Sequence, residues 1–149
     1  NMSASSAKVS AYTKVDVETA SQGKLIVMLF NGAIKRSEEA KRQMEKGSID
    51  GVHNNLIRAQ EIIAELRGAL NMNAGEISAN LDRIYEYFQH LLITANMKKN
   101  PQPIDECVNL MTEVRNMWQE VFDVVAREGD GGKVPAYDPH GAAVLNMVG

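Results

Sequence analysis

Apolar residues recur along this chain at the three- and four-residue spacing of one helix face, in four successive stretches. The first runs from about Ser21 to Glu45, with Thr19 or Ser21 as its cap. Leu25, Met28, Leu29, Gly32, Ala33, Ala40 and Met44 form its stripe, and Ile26, Phe30 and Ile34 add a second one beside it. The far face is charged in the second half, and Gly47 ends the pattern. The second stretch starts at Ser48, a good N-cap, and runs to about Leu70. Its Val52, Leu56, Ala59, Ile63, Leu66 and Leu70 keep the spacing of a seam between helices packed at a shallow angle.

The linker Asn71–Gly75 breaks that seam. The third stretch, Glu76 to Met97, puts Ile77, Leu81, Ile84, Phe88, Leu91 and Ala95 on one face. Lys98 and Lys99, followed by Pro101 and Pro103, stop it. The fourth runs from about Pro103 to Arg127, with Ile104, Cys107, Val108, Met111, Val114, Trp118, Val121 and Val125 as its stripe. Gly129-Asp-Gly-Gly132 closes it. No segment alternates as a half-buried strand does. The expected fold is all-α: an antiparallel up-down four-helix bundle over 21–128. It carries a flexible N-terminal arm over 1–20, whose one large apolar group is Tyr12, and a hinge and tail over 129–149. Asp138-Pro139 is the start signal of a short C-terminal fifth helix, with Ala142 to Leu145, Met147 and Val148 as its apolar part.

Composition adds limits. At 149 residues the chain is about one domain, with the apolar content of an ordinary globular protein. The formal charge of −3 and the lack of a dominant basic patch argue against nucleic acid as a partner. No apolar run reaches the ~18 residues of a spanning helix, so membrane insertion is not expected. The small, polar start lacks the apolar core of a signal peptide, so a cytoplasmic protein is expected. One cysteine, Cys107, excludes an intrachain disulfide and fits a reducing compartment.

Candidate chemistry is sparse. His53, His90 and His140 fall in three separate segments, and no Glu-x-x-His pair of a di-iron bundle is present. Glu86 and His90 share a helix face, which reads as an ordinary exposed pair. Cys107 sits on a core stripe and reads as an inert buried thiol. No phosphate loop, nucleophile elbow or Cys-x-x-Cys pair occurs. No catalytic residue, cofactor or metal site is assigned, and the chain reads as a binding protein rather than an enzyme. The competing reading is a histidine phosphotransfer bundle using His53, but the Lys-Gly usual just after such a histidine is missing.

Specific blocks carry a resemblance. Tyr12-Thr-Lys-Val-Asp-Val-Glu-Thr-Ala-Ser21, then Gly23-Lys-Leu-Ile-Val-Met-Leu-Phe-Asn-Gly-Ala33, resemble the opening of the FliS family. Asn55-Leu-Ile-Arg-Ala-Gln-Glu-Ile-Ile-Ala-Glu-Leu66 resembles its second helix, and Ala95-Asn-Met-Lys-Lys99 the end of its third. The family's proline after the serine is Gln22 here, and its Tyr-Asp before Gly-Ala is Phe30-Asn31. The resemblance implies a cytoplasmic export chaperone. Such a protein holds the disordered C-terminal region of flagellin, prevents early polymerisation and helps deliver it to the export gate protein FlhA. A generic export adaptor without flagellin affinity is the alternative, and a weak homodimer stays open.

Residues flanking the core stripes are the candidates for partner contact. On the second helix these are Asn55, Ile62 and Ala69, with Arg58 beside them. On the third, Tyr85 and Tyr87 lie off the main seam. Tyr12 joins them because the resemblance places its segment over the groove. Ile62 as a wider core, Tyr87 as an ordinary surface aromatic and Tyr12 as a linker residue are the competing readings. Most of the methionines named above (Met28, Met44, Met111) read as space-filling core residues.

Overall fold

The computed structural model describes residues 4–128, with side chains from Gln22 onward. It has four α-helices and one short 3₁₀ turn, and no strand among the described residues. The helices are α1 (Ala4–Glu45), α2 (Ile49–Gly68), α3 (Glu76–Lys98) and α4 (Gln102–Glu128). Contacts run α1 to α2, α2 to α3, α3 to α4 and α4 back to α1, so the helices stand at the corners of a square. The connections between successive helices are short, which makes neighbours antiparallel. The expected up-down four-helix bundle is therefore what the chain forms.

The stop signals act as the sequence predicts. Gly47 takes φ 73°, and Ser48 N–H donates back to Gln43 C=O at 3.0 Å, satisfying a carbonyl at the end of α1. Ser48 then caps α2, its Oγ accepting from Gly51 N–H at 3.1 Å. Lys99 holds the left-handed conformation at the end of α3, and Asn100 N–H closes onto Ala95 C=O at 3.2 Å.

The start of α1 differs from the expectation. It lies at Ala4, so Thr19 and Ser21 fall inside the helix and neither is its N-cap. Residues 4–15 have no apolar periodicity, but Ala, Ser and Lys do not oppose helix, and a formed helix extends at one hydrogen bond per residue. Residues 129–149, including the expected hinge and fifth helix, lie outside the described residues.

The core follows α2 closely: Val52, Leu56, Ala59, Ile63, Leu66 and Leu70 are all buried. In α1 both stripes reach the core: Ile26, Phe30 and Ile34 of the second are buried together with Leu29, Ala33 and Ala40 of the first, while Met28, expected in the core, is exposed. In α3 the expected Leu81, Phe88, Leu91 and Ala95 are buried, but one edge of the expected face is not. Ile77 and Ile84 are 45 % and 39 % exposed, whereas Tyr85, Leu92 and Ser78 are fully buried. The Tyr85 ring meets Phe30 edge-on at 5.7 Å and Phe88 at 5.9 Å, and Trp118 stacks on Phe122 at 5.5 Å. These aromatics fill the bundle centre.

Polar clamps set the helix register at the edges. Arg67 of α2 forks onto Asp82 of α3 at 2.9 and 3.1 Å and also reaches Gln89 at 2.8 Å and Glu86 at 3.2 Å. Arg115 of α4 donates to Asn31 of α1 at 2.8 Å. Lys41 of α1 pairs with Asp105 of α4.

Candidate partner-binding site

A bundle of this kind has four lengthwise grooves, one between each pair of neighbouring helices. Two of them differ sharply in chemistry. The α1–α2 groove has Gly32 and Ile62 in its floor and Lys35, Arg36, Arg42 and Arg58 along its rim. Ile62 packs against Gly32 of α1; a Cβ there would sit 3.5 Å from Ile62 Cδ1, an ordinary contact. Ile62 is consequently 5 % exposed and belongs to the core. The rim is partly self-satisfied, since Arg36 donates to Asn55 at 3.4 Å and Arg58 lies 3.7 Å from Glu61.

The α3–α4 groove is larger in volume, about 710 Å³ against about 430 Å³, and mostly apolar. Ile84 and Tyr87 from α3 face Leu110 and Val114 from α4 across it, over the edge of Phe88. Arg83 and Glu113 supply one charge of each sign at its margin. Met117 is exposed one turn beyond Val114, and Ile77 is exposed two turns before Ile84, so the apolar band continues along both helices.

The predicted contact residues divide between these surfaces and the core. Asn55 and Arg58 do line a groove, on the α1–α2 side. Ile62, packed against Gly32 of α1, and Ala69 are both buried and are not surface flanks. Tyr85 is not off the seam: it is fully buried, and Trp118 Nε1 donates to its hydroxyl at 3.0 Å. A Tyr can be interior when its polar tip finds such a partner. Tyr87 is exposed in the α3–α4 groove, with its hydroxyl on Glu106 and its ring on His90 at 6.3 Å. The Glu106 carboxylate raises the Tyr87 phenol above its ordinary pKa. The Tyr12 backbone lies in α1, and its side chain is outside the described set.

Sequence reasoning missed Ile84, Leu110 and Met117 as surface residues. The available signal was a second apolar row on α4: Leu110 and Met117, seven apart, run beside Val114 and Val121.

No other chemistry gathers. Cys107 is buried, and desolvation pushes its thiol up to about 12. His53 is exposed on α2, its Nδ1 3.0 Å from Asn96. Glu86 pairs with Arg67 rather than with His90. Among the described residues no His, Cys, Asp or Glu group could hold a metal ion, and no helix is long and apolar enough to cross a membrane.

The comparison with known proteins decides the family. Residues 4–125 match the family described as "Flagellar protein FliS". The chain belongs to the FliS family. It is 35 % identical to the flagellar secretion chaperone FliS of Bacillus subtilis (strain 168), across 82 % of this chain and 92 % of that protein. Identity to the protein of the same name from Vibrio cholerae is 34 %, across 74 % of this chain and 85 % of that one. The flagellar secretion chaperone FliSB of Pseudomonas aeruginosa is 33 % identical across 74 % and 91 %. The FliS match covers α1 through most of α4, so the bundle and both grooves lie within it. The resembling blocks between Tyr12 and Lys99 thus lie within a match that extends beyond them at both ends.

Proposed function

We propose that this FliS-family protein is a cytoplasmic export chaperone that holds the disordered C-terminal region of flagellin and presents it to the export gate protein FlhA. The observation that carries the reading is the open apolar α3–α4 groove, bounded by Ile84, Tyr87, Leu110 and Val114. A flagellin end that later packs into a filament exposes an apolar helix face beforehand. An elongated groove with few charges accepts such a face in the helix-in-groove manner. The partner folds on contact, and part of the interaction energy goes into that ordering. Tyr87 supplies an amphipathic anchor of the type that dominates interfaces. Asn55 and Arg58 of the α1–α2 groove provide polar contacts where the partner passes round the bundle. Tyr12 acts near the same partner. The chaperone works through binding alone.

The test is calorimetric titration with a peptide covering the C-terminal region of flagellin. One-to-one binding with a gain in helicity is expected. Ile84→Asp should weaken it at least tenfold with the helical spectrum unchanged, because docking would bury an unpaired charge. Absence of binding by the parent protein at micromolar concentration would leave a generic export adaptor as the better reading.

A further inference from the structure

The α3–α4 groove leaves a band of apolar side chains uncovered in the described residues, and the chain itself carries a segment suited to cover it. Residues 129–149 follow α4 directly. Within them Pro139 opens a stretch whose Val144, Leu145 and Val148 fall on one helical face. After Asp138 its only ionisable side chain is His140. Such a short helix is marginal alone in water and gains order only by packing.

Reach and chemistry select the surface. At 1.5 Å per residue, Val114 lies about 21 Å back along α4 from its end at Glu128. The ten residues 129–138 can span up to roughly 33 Å, enough to turn and run back beside α4. Two grooves border α4. The one toward α1 is lined by Lys24, Gln119 and Asp123 together with Val27, Met28 and Phe122. An almost uncharged helix would strip water from those polar groups without replacing their partners. The groove toward α3 presents Ile84, Leu110 and Val114 and is the larger of the two.

We propose that residues Pro139–Val148 dock as a fifth helix in the α3–α4 groove of the same molecule, covering Ile84 and Val114 until a partner displaces them. The docking stands on the groove and the tail alone. Its consequence, competition with flagellin, rests on the reading given under Proposed function. Flagellin affinity is then reduced by the fraction of molecules in the docked state.

The test uses the full chain with Ile84→Cys and Leu145→Cys, oxidised at low micromolar concentration. The control pair is Ile57→Cys with Leu145→Cys; Ile57 is equally exposed but lies on α2, diagonal to α4. Cys107 is buried and stays out of the exchange. An intramolecular disulfide forming at least tenfold faster in the first pair is expected. Equal rates, or no intramolecular product, would overturn the proposal. Disulfide-linked dimers alone would overturn it too and assign the groove to a second copy. In the same chain without cysteines, Leu145→Asp should tighten flagellin-peptide binding. A parent protein that binds no peptide while the 84–145 disulfide forms would sink the flagellin reading and leave the docking standing.

Discussion

The indole Nε1 of Trp118 donates to the hydroxyl of Tyr85 across 3.0 Å in the interior, tying α4 to α3. Both rings are buried, so this polar contact is screened from water and holds the two helices in one register. Tyr85→Phe keeps the ring and its packing on Phe30 but removes the acceptor. The expected loss is about 1–3 kcal/mol, the cost of taking a partner from a buried donor. Urea unfolding followed by circular dichroism measures it, and an unchanged midpoint would show that the bond contributes nothing net.

Gly23 of α1 sits directly against the Phe122 ring of α4. A Cβ on Gly23 would lie 2.5 Å from Phe122 Cγ and 2.8 Å from both ring Cδ atoms. The ring cannot simply slide, because its other face stacks on Trp118. Gly23→Ala gains about 1 kcal/mol of helix propensity but overpacks at a cost of about 1–3 kcal/mol. Net destabilisation is expected in thermal unfolding, and Phe122→Leu in the same chain should relieve part of it. Simple additivity of the two substitutions would disprove the clash.

Ile62 and Ile63 are neighbours with the same fate. Ile62 packs against Gly32 and Ile63 lies on the central seam. Either residue changed to Asp places a carboxylate in the core, so both variants should lose about 3 kcal/mol or more. Ile84→Asp, at a position 39 % exposed, should lose far less. Thermal midpoints of the three variants order them directly.

Acid sensitivity should trace in part to the Arg67 clamp. Hydrogen bonding from Arg67 holds the Asp82 carboxyl below the usual carboxylate range. The folded pKa is depressed, so this stability is present above the unfolded value near about pH 4 and is lost as pH falls through and below it. Asp82→Asn should destabilise by about 0.2–1 kcal/mol at pH 7, as expected for a partly exposed pair. The gap from the parent protein should narrow steadily below about pH 4, read by urea midpoints across the acid range. A gap that stays constant would rule the pair out as an acid-sensitive element.

The Cys107 thiol should be silent in the native state. Burial pushes it up to about 12 and keeps reagents away, and its Sγ contacts Phe88 C=O at 3.7 Å. A thiol reagent at pH 8 should react only after denaturant is added. Rapid labelling of the folded chain would mean that α3 and α4 part more readily than their packing suggests.

The sequence by itself determined the four helices and the breaks between them, but not the start of α1. Gly47, Ser48 and Pro101 act within a turn of their own positions, so their signals needed no tertiary context. It also determined the α2 seam, since Val52, Leu56, Ala59, Ile63, Leu66 and Leu70 form an unbroken apolar row. Elsewhere two rows competed. In α3 the row through Ile77 and Ile84 and the row through Ser78, Tyr85 and Leu92 lie about 100° apart, and residue type favoured the wrong one. Tyr85 became interior because Trp118, thirty-three positions later, met its hydroxyl. Ile62 was covered because α1 packs over it at Gly32. A helix's sequence states which residues share a face; only the neighbouring helices decide which edge of that face is closed and which stays open as a groove.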